Sequence, residues 1–337
     1  MTGVAEKVCS FRAMNTDVKV FVCAASDQEL LAETMLLSVQ RLFFEVESRL
    51  SRFNSESELN RLNASAGQEF IASPLLFNAI QKAVSLAQRT GGVFNPFLLR
   101  ELIEAGYDRS FEKIPANRDV APCEKSFCNS SWEDVRLDHF SCCIMLPKDC
   151  AVDLGGIGKG LAVDMAADKL AHFTGFAIDA GGDIRAGGKW REQNWVIGIT
   201  DPFHPEGEIG QVTIKSDVAV CTSTTLRRRW KINGEINHHI IDPRTGCSAN
   251  SGIVSATVIA GTAVKAEAFA KAALILGSED GLRLLDSESG VSGVLVREDG
   301  GIIRSKNLRE KSSEIRVDIF DSAIAVSSDP VNSFYSD

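Results

Sequence analysis

The chain has 337 residues, 44% of them apolar and 24% charged, with a net charge of −9; this is the balance of a globular protein with about two domains or one large core. The negative sum excludes a general nucleic-acid binder, which needs a basic face to displace counterions, and it disfavours anionic membrane surfaces. No apolar run approaches the ~18 residues of a membrane span. Met1 to Thr16 carries Glu6, Lys7 and Arg12 without the apolar core of a signal peptide, so a cytoplasmic location is expected.

In chain order, Asp17 to Val22 alternates apolar and polar residues and predicts a half-buried strand. Residues 27–50 form a long amphipathic helical pattern built on Leu30, Leu31, Met35, Leu37, Val39, Leu42, Phe43, Val46 and Leu50. A short helix is predicted over Glu56 to Leu62 with Ser55 as its cap, and a third over Pro74 to Gln88. Ser73 caps the third, proline suits its first position, and Gly91-Gly92 stops it. Residues 108–131 are polar and irregular. Cys123, Cys128, Cys142, Cys143 and Cys150 lack the paired C-x2-C spacing of zinc sites and are expected to be ordinary reduced thiols.

The second half carries short β-type runs between glycine-rich turns: Phe176 to Asp179, Trp195 to Ile199, Glu208 to Ile214, Asp217 to Cys221, His239 to Ile241 and Ile253 to Ile259. Helices are predicted over Ile157 to Phe173 and Ala263 to Leu276. This order predicts an α+β fold, a mixed, mostly antiparallel core with helices packed around it, and not a repeating βαβ sheet. The polar, serine-rich tail beyond Ser305 contains one apolar island, Ile319 to Val326, and is expected to be peripheral or partly disordered.

Three segments carry chemistry. Asp153-Leu154-Gly155-Gly156-Ile157-Gly158-Lys159-Gly160 runs into a helix and suits either a phosphate or a tight helix–strand turn; Gly160 and Leu161 after Lys159 exclude a Walker A loop. Asp179-Ala180-Gly181-Gly182-Asp183 is a second glycine turn. His238-His239-Ile240-Ile241-Asp242-Pro243-Arg244-Thr245-Gly246 is a third, in which His239 is either a base at neutral pH or a hydrogen-bonded strand histidine. The run Arg227-Arg228-Arg229 is expected to be a solvated strand end or loop.

The order of these segments resembles the FAD:protein FMN transferases of the ApbE family. The resemblance covers about residues 10–305, expected as a single domain with two possible lobes, 10–150 and 151–305. It also includes Ala13 to Thr16, Leu50 to Phe53 with Ser57 to Asn60, Gly92 to Pro96, Cys221-Thr222-Ser223 and Ala266-Glu267-Ala268. It implies that the chain binds FAD, with Mg2+, and transfers FMN to a serine or threonine of an acceptor protein, releasing AMP. It implies FAD contacts at Met14, Phe53, Val93, Phe94, Asn95, Asp153, Lys159 and Ile241, and places His239 where the family accepts the hydroxyl proton. The metal positions fall on Gly156, Glu267, Ala270 and Lys271. Glu267 and Lys271 depart from the family's Asp and Thr, Asn95 stands for an Asp, and Thr224 for a Gly. A charged lysine cannot be a ligand, so Lys271, tied to Glu267 one turn away, is expected to occupy the metal's place; otherwise the two form an exposed pair on a shifted helix. The alternative function is a flavin-binding relative that has lost transfer and acts as a holder, regulator or slow FAD hydrolase.

Overall fold

The computed structural model describes residues 4–118, 132–309 and 315–325. Its centre is an eight-stranded sheet ordered Val4–Ala13, Thr16–Ala25, Gly175–Ala180, Asp183–Gly188, Val218–Thr224, Ile253–Ala260, Val291–Arg297 and Ile302–Arg304. Every neighbouring pair is antiparallel. The helices are α1 (Glu29–Leu50), α2 (Glu58–Ala64), α3 (Pro74–Arg89), α4 (Leu99–Glu104), α5 (Gly158–Leu170), α6 (Ala263–Leu276) and α7 (Ser278–Ser287), with one further turn at Lys306–Arg309.

The pleat explains the layering, because successive side chains point to opposite faces of a strand. Ala219 and Cys221 join Val18, Val20, Ile178, Val258 and Leu295 in the core beneath the helices. Their neighbours Val218 and Val220 join Ala177, Ile184, Ile259 and Val294 on the opposite face, against Trp195, Ile197, Val212 and Ile214. The second face is therefore covered by a three-stranded sheet of Trp195–Thr200, Gly207–Ile214 and Ile315–Ala325. The arrangement is helices, large sheet, small sheet, which is the expected α+β class. The helix-side core draws on both halves of the chain, from Ala13 to Leu295.

Several expectations shift in detail. The second helix starts at Glu58, and Ser57, not Ser55, caps it by accepting from the Asn60 N–H at 3.1 Å. Ser73 caps α3 as expected, through the Leu76 N–H. The run expected as one strand from His239 to Ile241 is broken: strands cover Glu235–His238 and Ile241–Asp242, and His239 sits in the gap. Within the tail, Ile315–Ala325 pairs with Gly207–Ile214 and takes in most of the apolar island; Val326 lies outside the described residues. So do Cys123 and Cys128, and among the described residues no two cysteines form a disulfide.

The crossing of α5 over α6 leaves no room at Gly160. A Cβ there would lie 2.8 Å from the Val264 nitrogen and 2.8 Å from the Ala263 carbonyl carbon. Both are backbone atoms and cannot swing aside. Gly160→Ala is expected to cost about 1–3 kcal/mol, the usual cost of overpacking, read as a lower urea midpoint at unchanged slope.

Candidate active site

The site is built where α5 and α6 cross. Asp164 on α5 accepts from the Ala263 and Val264 N–H groups at 2.8 and 3.0 Å, satisfying the free amides at the start of α6. Arg185 donates to the same carboxylate at 3.0 Å. This pins the register of α6 and brings Glu267 against the start of α5, where its Oε2 accepts from the Gly160 N–H at 3.0 Å. Part of the α5 N-terminus is thus satisfied internally and is not offered to a ligand. Glu267 Oε1 accepts from Lys271 Nζ at 3.1 Å, with Lys159 Nζ at 3.7 Å. Lys159 also pairs with Asp183, whose side chain is 2% exposed. Two ammonium groups and two carboxylates therefore form one cluster at the floor of the site. Burial pushes the Lys159 pKa down, Glu267 opposes that, and Lys271 adds to it.

These residues do not fit a divalent metal ion. Hard cations such as Mg2+ need several oxygen ligands. Here both oxygens of Glu267 are engaged by an amide and an ammonium, Lys271 contributes positive charge, and Ala270 is fully buried and lines neither of the two cavities described below. Among the described residues no group of three His, Cys, Asp or Glu side chains could hold a metal. Gly156 lies beside Lys271: a Cβ on it would be 3.8 Å from Lys271 Cδ and 3.1 Å from the Phe94 ring. The lysine side chain thus lies against this stretch of backbone.

Above the cluster opens a cleft of about 420 Å³, within the range of small-molecule sites. Met14, Phe53, Val93, Phe94, Asn95, Asp153, Lys159, Ile241, His239, Gly156 and Lys271 all line it. Its glycine loop is held at the base by Asn63, which exchanges two hydrogen bonds with the Val152 backbone at 2.8 and 2.9 Å. Asn95 spends its side-chain oxygen on the Phe97 N–H at 2.9 Å, so it shapes the Pro96 turn. One wall is a ladder of rings and a guanidinium. Arg52 lies 4.1 Å from the Phe53 ring centroid and 4.7 Å from that of Tyr107, pairs with Asp153 at 3.4 Å, and donates to the Tyr107 carbonyl at 2.6 Å. Tyr107 stacks on Trp230 with centroids 5.5 Å apart.

The two adjacent histidines differ in kind. His238 Nε2 meets the Ala249 carbonyl at 2.9 Å and its Nδ1 accepts from the Ile240 N–H at 3.3 Å, so it holds the strand break together. His239 turns into the site, and its Nδ1 is buried with no hydrogen-bond partner among the described residues. Burial pushes its pKa well below 6.5, and Arg228, Lys271, His238 and Lys159 push the same way. The imidazole is neutral at pH 7 and has a lone pair to offer. A second cavity of about 300 Å³ meets the cleft at Gly155, Lys159, Arg228, His239 and Lys271.

Arg228 and Tyr107 are site residues that sequence reasoning missed. Arg228 stands at φ 53°, in the left-handed region that residues with a Cβ seldom adopt, and bonds the Tyr107 side chain. The arginine run was expected to be solvated, and only Arg227 and Arg229 are exposed. Tyr107 lies at the edge of the segment expected to be an irregular excursion.

Comparisons with known proteins bear on the family of the chain. The ApbE family model matches residues 14–295. The FAD:protein FMN transferase of Vibrio cholerae is 27% identical over 278 residues, covering 80% of this chain and 81% of that protein. That of Rhodobacter capsulatus is 30% identical over 260 residues, covering 75% of this chain and 49% of the relative. The crystal structure of the ApbE protein from Thermotoga maritima superposes with a TM-score of 0.80 at 26% identity, covering 91% of this chain and all of that one. With a family model matched across most of its length, the chain belongs to the ApbE family.

Proposed function

We propose that this protein is an FAD:protein FMN transferase that attaches FMN through a phosphoester to a serine or threonine of an acceptor protein and releases AMP. The observation that carries the proposal is the bare, buried Nδ1 of His239 set beside Lys159, Lys271 and Arg228. The neutral imidazole takes the proton of the acceptor hydroxyl as its oxygen attacks the phosphorus of the FMN half. The bond from that phosphorus to the bridging oxygen breaks, and AMP leaves with the oxygen and, finally, the proton. The three cations neutralise the phosphoryl charge, a preorganised electrostatic role. Arg52, Phe53 and Tyr107 orient the rings of the bound nucleotide.

Isothermal titration with FAD, paired with chromatography of released AMP, tests this; a protein that neither binds FAD nor releases AMP overturns it. Because Glu267 is already satisfied by Lys271, FAD affinity and AMP release are expected to be the same with added Mg2+ and with EDTA. A strong rise with Mg2+ would mean that Lys271 moves aside for the ion.

The depressed pKa of His239 also fixes the sign of a pH effect. Its base form persists below pH 6.5, so AMP release is expected to show no step at 6.5 and to fall only in more acid solution. In the unfolded chain the histidine protonates near 6.5, while in the folded chain it resists. Its contribution to stability is therefore complete above pH 6.5 and is lost as pH falls toward the folded value. Rate and urea stability, each followed against pH, check the two halves.

A further inference from the structure

The second cavity meets the cleft at the cluster of Lys159, Lys271 and His239, and its other walls differ from those of the cleft. The cleft is lined by Phe53, Phe94 and Tyr107. None of the second cavity's lining residues is phenylalanine, tyrosine or tryptophan, and His239 at the junction is its one aromatic lining residue, so it lacks the stacking wall of the cleft. Its wall is instead rich in glycine and hydroxyl side chains, among them Thr200, Thr222, Ser223, Thr224 and Ser255. Two of these are engaged: Thr224 donates to the Val254 carbonyl at 2.8 Å, and Thr222 bonds Thr257 at 2.9 Å; Ser223 is buried. On one side run residues 196–200, which pair with Gly207–Ile214 along one edge and, among the described residues, with no strand along the other. A free edge of this kind is suited to an extended segment of another chain.

We infer that the second cavity is the port through which a hydroxyl-bearing, extended segment of the acceptor protein reaches His239, while FAD fills the cleft. This rests on the transferase reading above and specifies where its second substrate enters. In-line displacement at phosphorus requires the incoming oxygen and the departing AMP to lie on opposite sides. The two cavities share only Gly155, Lys159, Arg228, His239 and Lys271, so a phosphoryl group held at that junction is open to attack from the second cavity. Arg228, at its unusual backbone angle, forms part of the partition. The small side chains and glycines of the port admit the acceptor's main chain close to the junction. That closeness is required, because a serine or threonine hydroxyl extends little beyond its backbone.

The test uses FAD with the peptide acetyl-Ala-Ala-Thr-Ala-Ala-amide, and its Thr→Val counterpart, which keeps the shape and lacks the hydroxyl. Mass spectrometry reads FMN attached to the peptide, chromatography reads AMP released to water, and titration reads FAD affinity. Thr200→Trp and Pro205→Trp each add bulk at a position that lines the port and not the cleft. The wild-type protein is expected to modify the threonine peptide only. Both variants are expected to bind FAD and release AMP to water as the wild type does, and to lose peptide modification by about 100-fold or more. Peptide modification that survives in both variants overturns the port. So does loss of FAD affinity in the variants, which would assign the cavity to the nucleotide. A wild-type protein that releases AMP but leaves the peptide unmodified also overturns it. Failure of the wild type to bind FAD at all would instead defeat the transferase reading itself.

Discussion

His239→Ala is expected to lower FMN transfer by about 10²- to 10⁴-fold, the range removed with a positioned general base, while FAD affinity stays near the wild-type value. The two readouts separate because His239 contributes a lone pair and very little binding surface: its Nδ1 makes no hydrogen bond among the described residues. The neighbouring His238 provides the control. It bridges the Ala249 carbonyl and the Ile240 N–H, so His238→Ala is expected to loosen the strand break and lower stability. His239→Gln, close in shape but not titratable across the same range, is expected to be as slow as His239→Ala. Recovery of transfer in the glutamine variant would show that the ring positions the acceptor instead of taking its proton.

Lys159→Met is expected to be the most damaging change to the cluster, lowering stability by about 3–5 kcal/mol, because one partner of a buried pair is removed and the other is left uncompensated. Asp183 is almost fully buried and depends on this ammonium, which also approaches Glu267. FAD affinity is expected to fall as well, since Lys159 lines both cavities. The double variant Lys159→Met with Asp183→Asn distinguishes the two effects. Removing the stranded carboxylate charge is expected to restore most of the urea stability and none of the FAD affinity. If FAD binding also returned, Lys159 would act on the ligand only by holding the fold. Nearby, Asp179 is held up to about 6 by burial, against the hydrogen bond from the Gly182 N–H. Its uncompensated charge opposes folding at neutral pH, and that cost disappears as pH falls from 6 toward the unfolded carboxylate value.

The sequence carried most of the helices and half of the site for a physical reason. Alternation and helical periodicity record burial, so Asp17 to Val22 and Ala263 to Leu276 could be placed from side chains alone. The ordered glycine, histidine and Glu267 segments marked the residues that line the two cavities. What stayed hidden was set by tertiary partners. The first strand, Val4–Ala13, has little periodic signal of its own and is defined by pairing with Thr16–Ala25. Arg52 is a charged residue that is 5% exposed, which only the folded position of Asp153 and the two rings explains. Arg228 could not be told from Arg227 and Arg229 by composition, because one strained backbone angle turns it inward. The tie between Lys271 and Glu267 was legible from their spacing, but the engagement of Glu267 by Gly160 across two helices was not.

The suspension of α6 has a consequence for the order of events in this enzyme's life. The helix is fixed at its start by Asp164 and at its far end by Arg244, which reaches the Ile275 carbonyl at 3.3 Å from the turn that follows His239. Lys271, the cation proposed to face the phosphates, is therefore mounted on a helix tied to the turn that follows His239, the proposed base. Both are installed by the folding of the chain, in fixed stoichiometry and at the moment of synthesis. On the transferase reading proposed above, a centre assembled this way carries its counter-charge as soon as the chain has folded, which is what the expected equality of AMP release with Mg2+ and with EDTA tests.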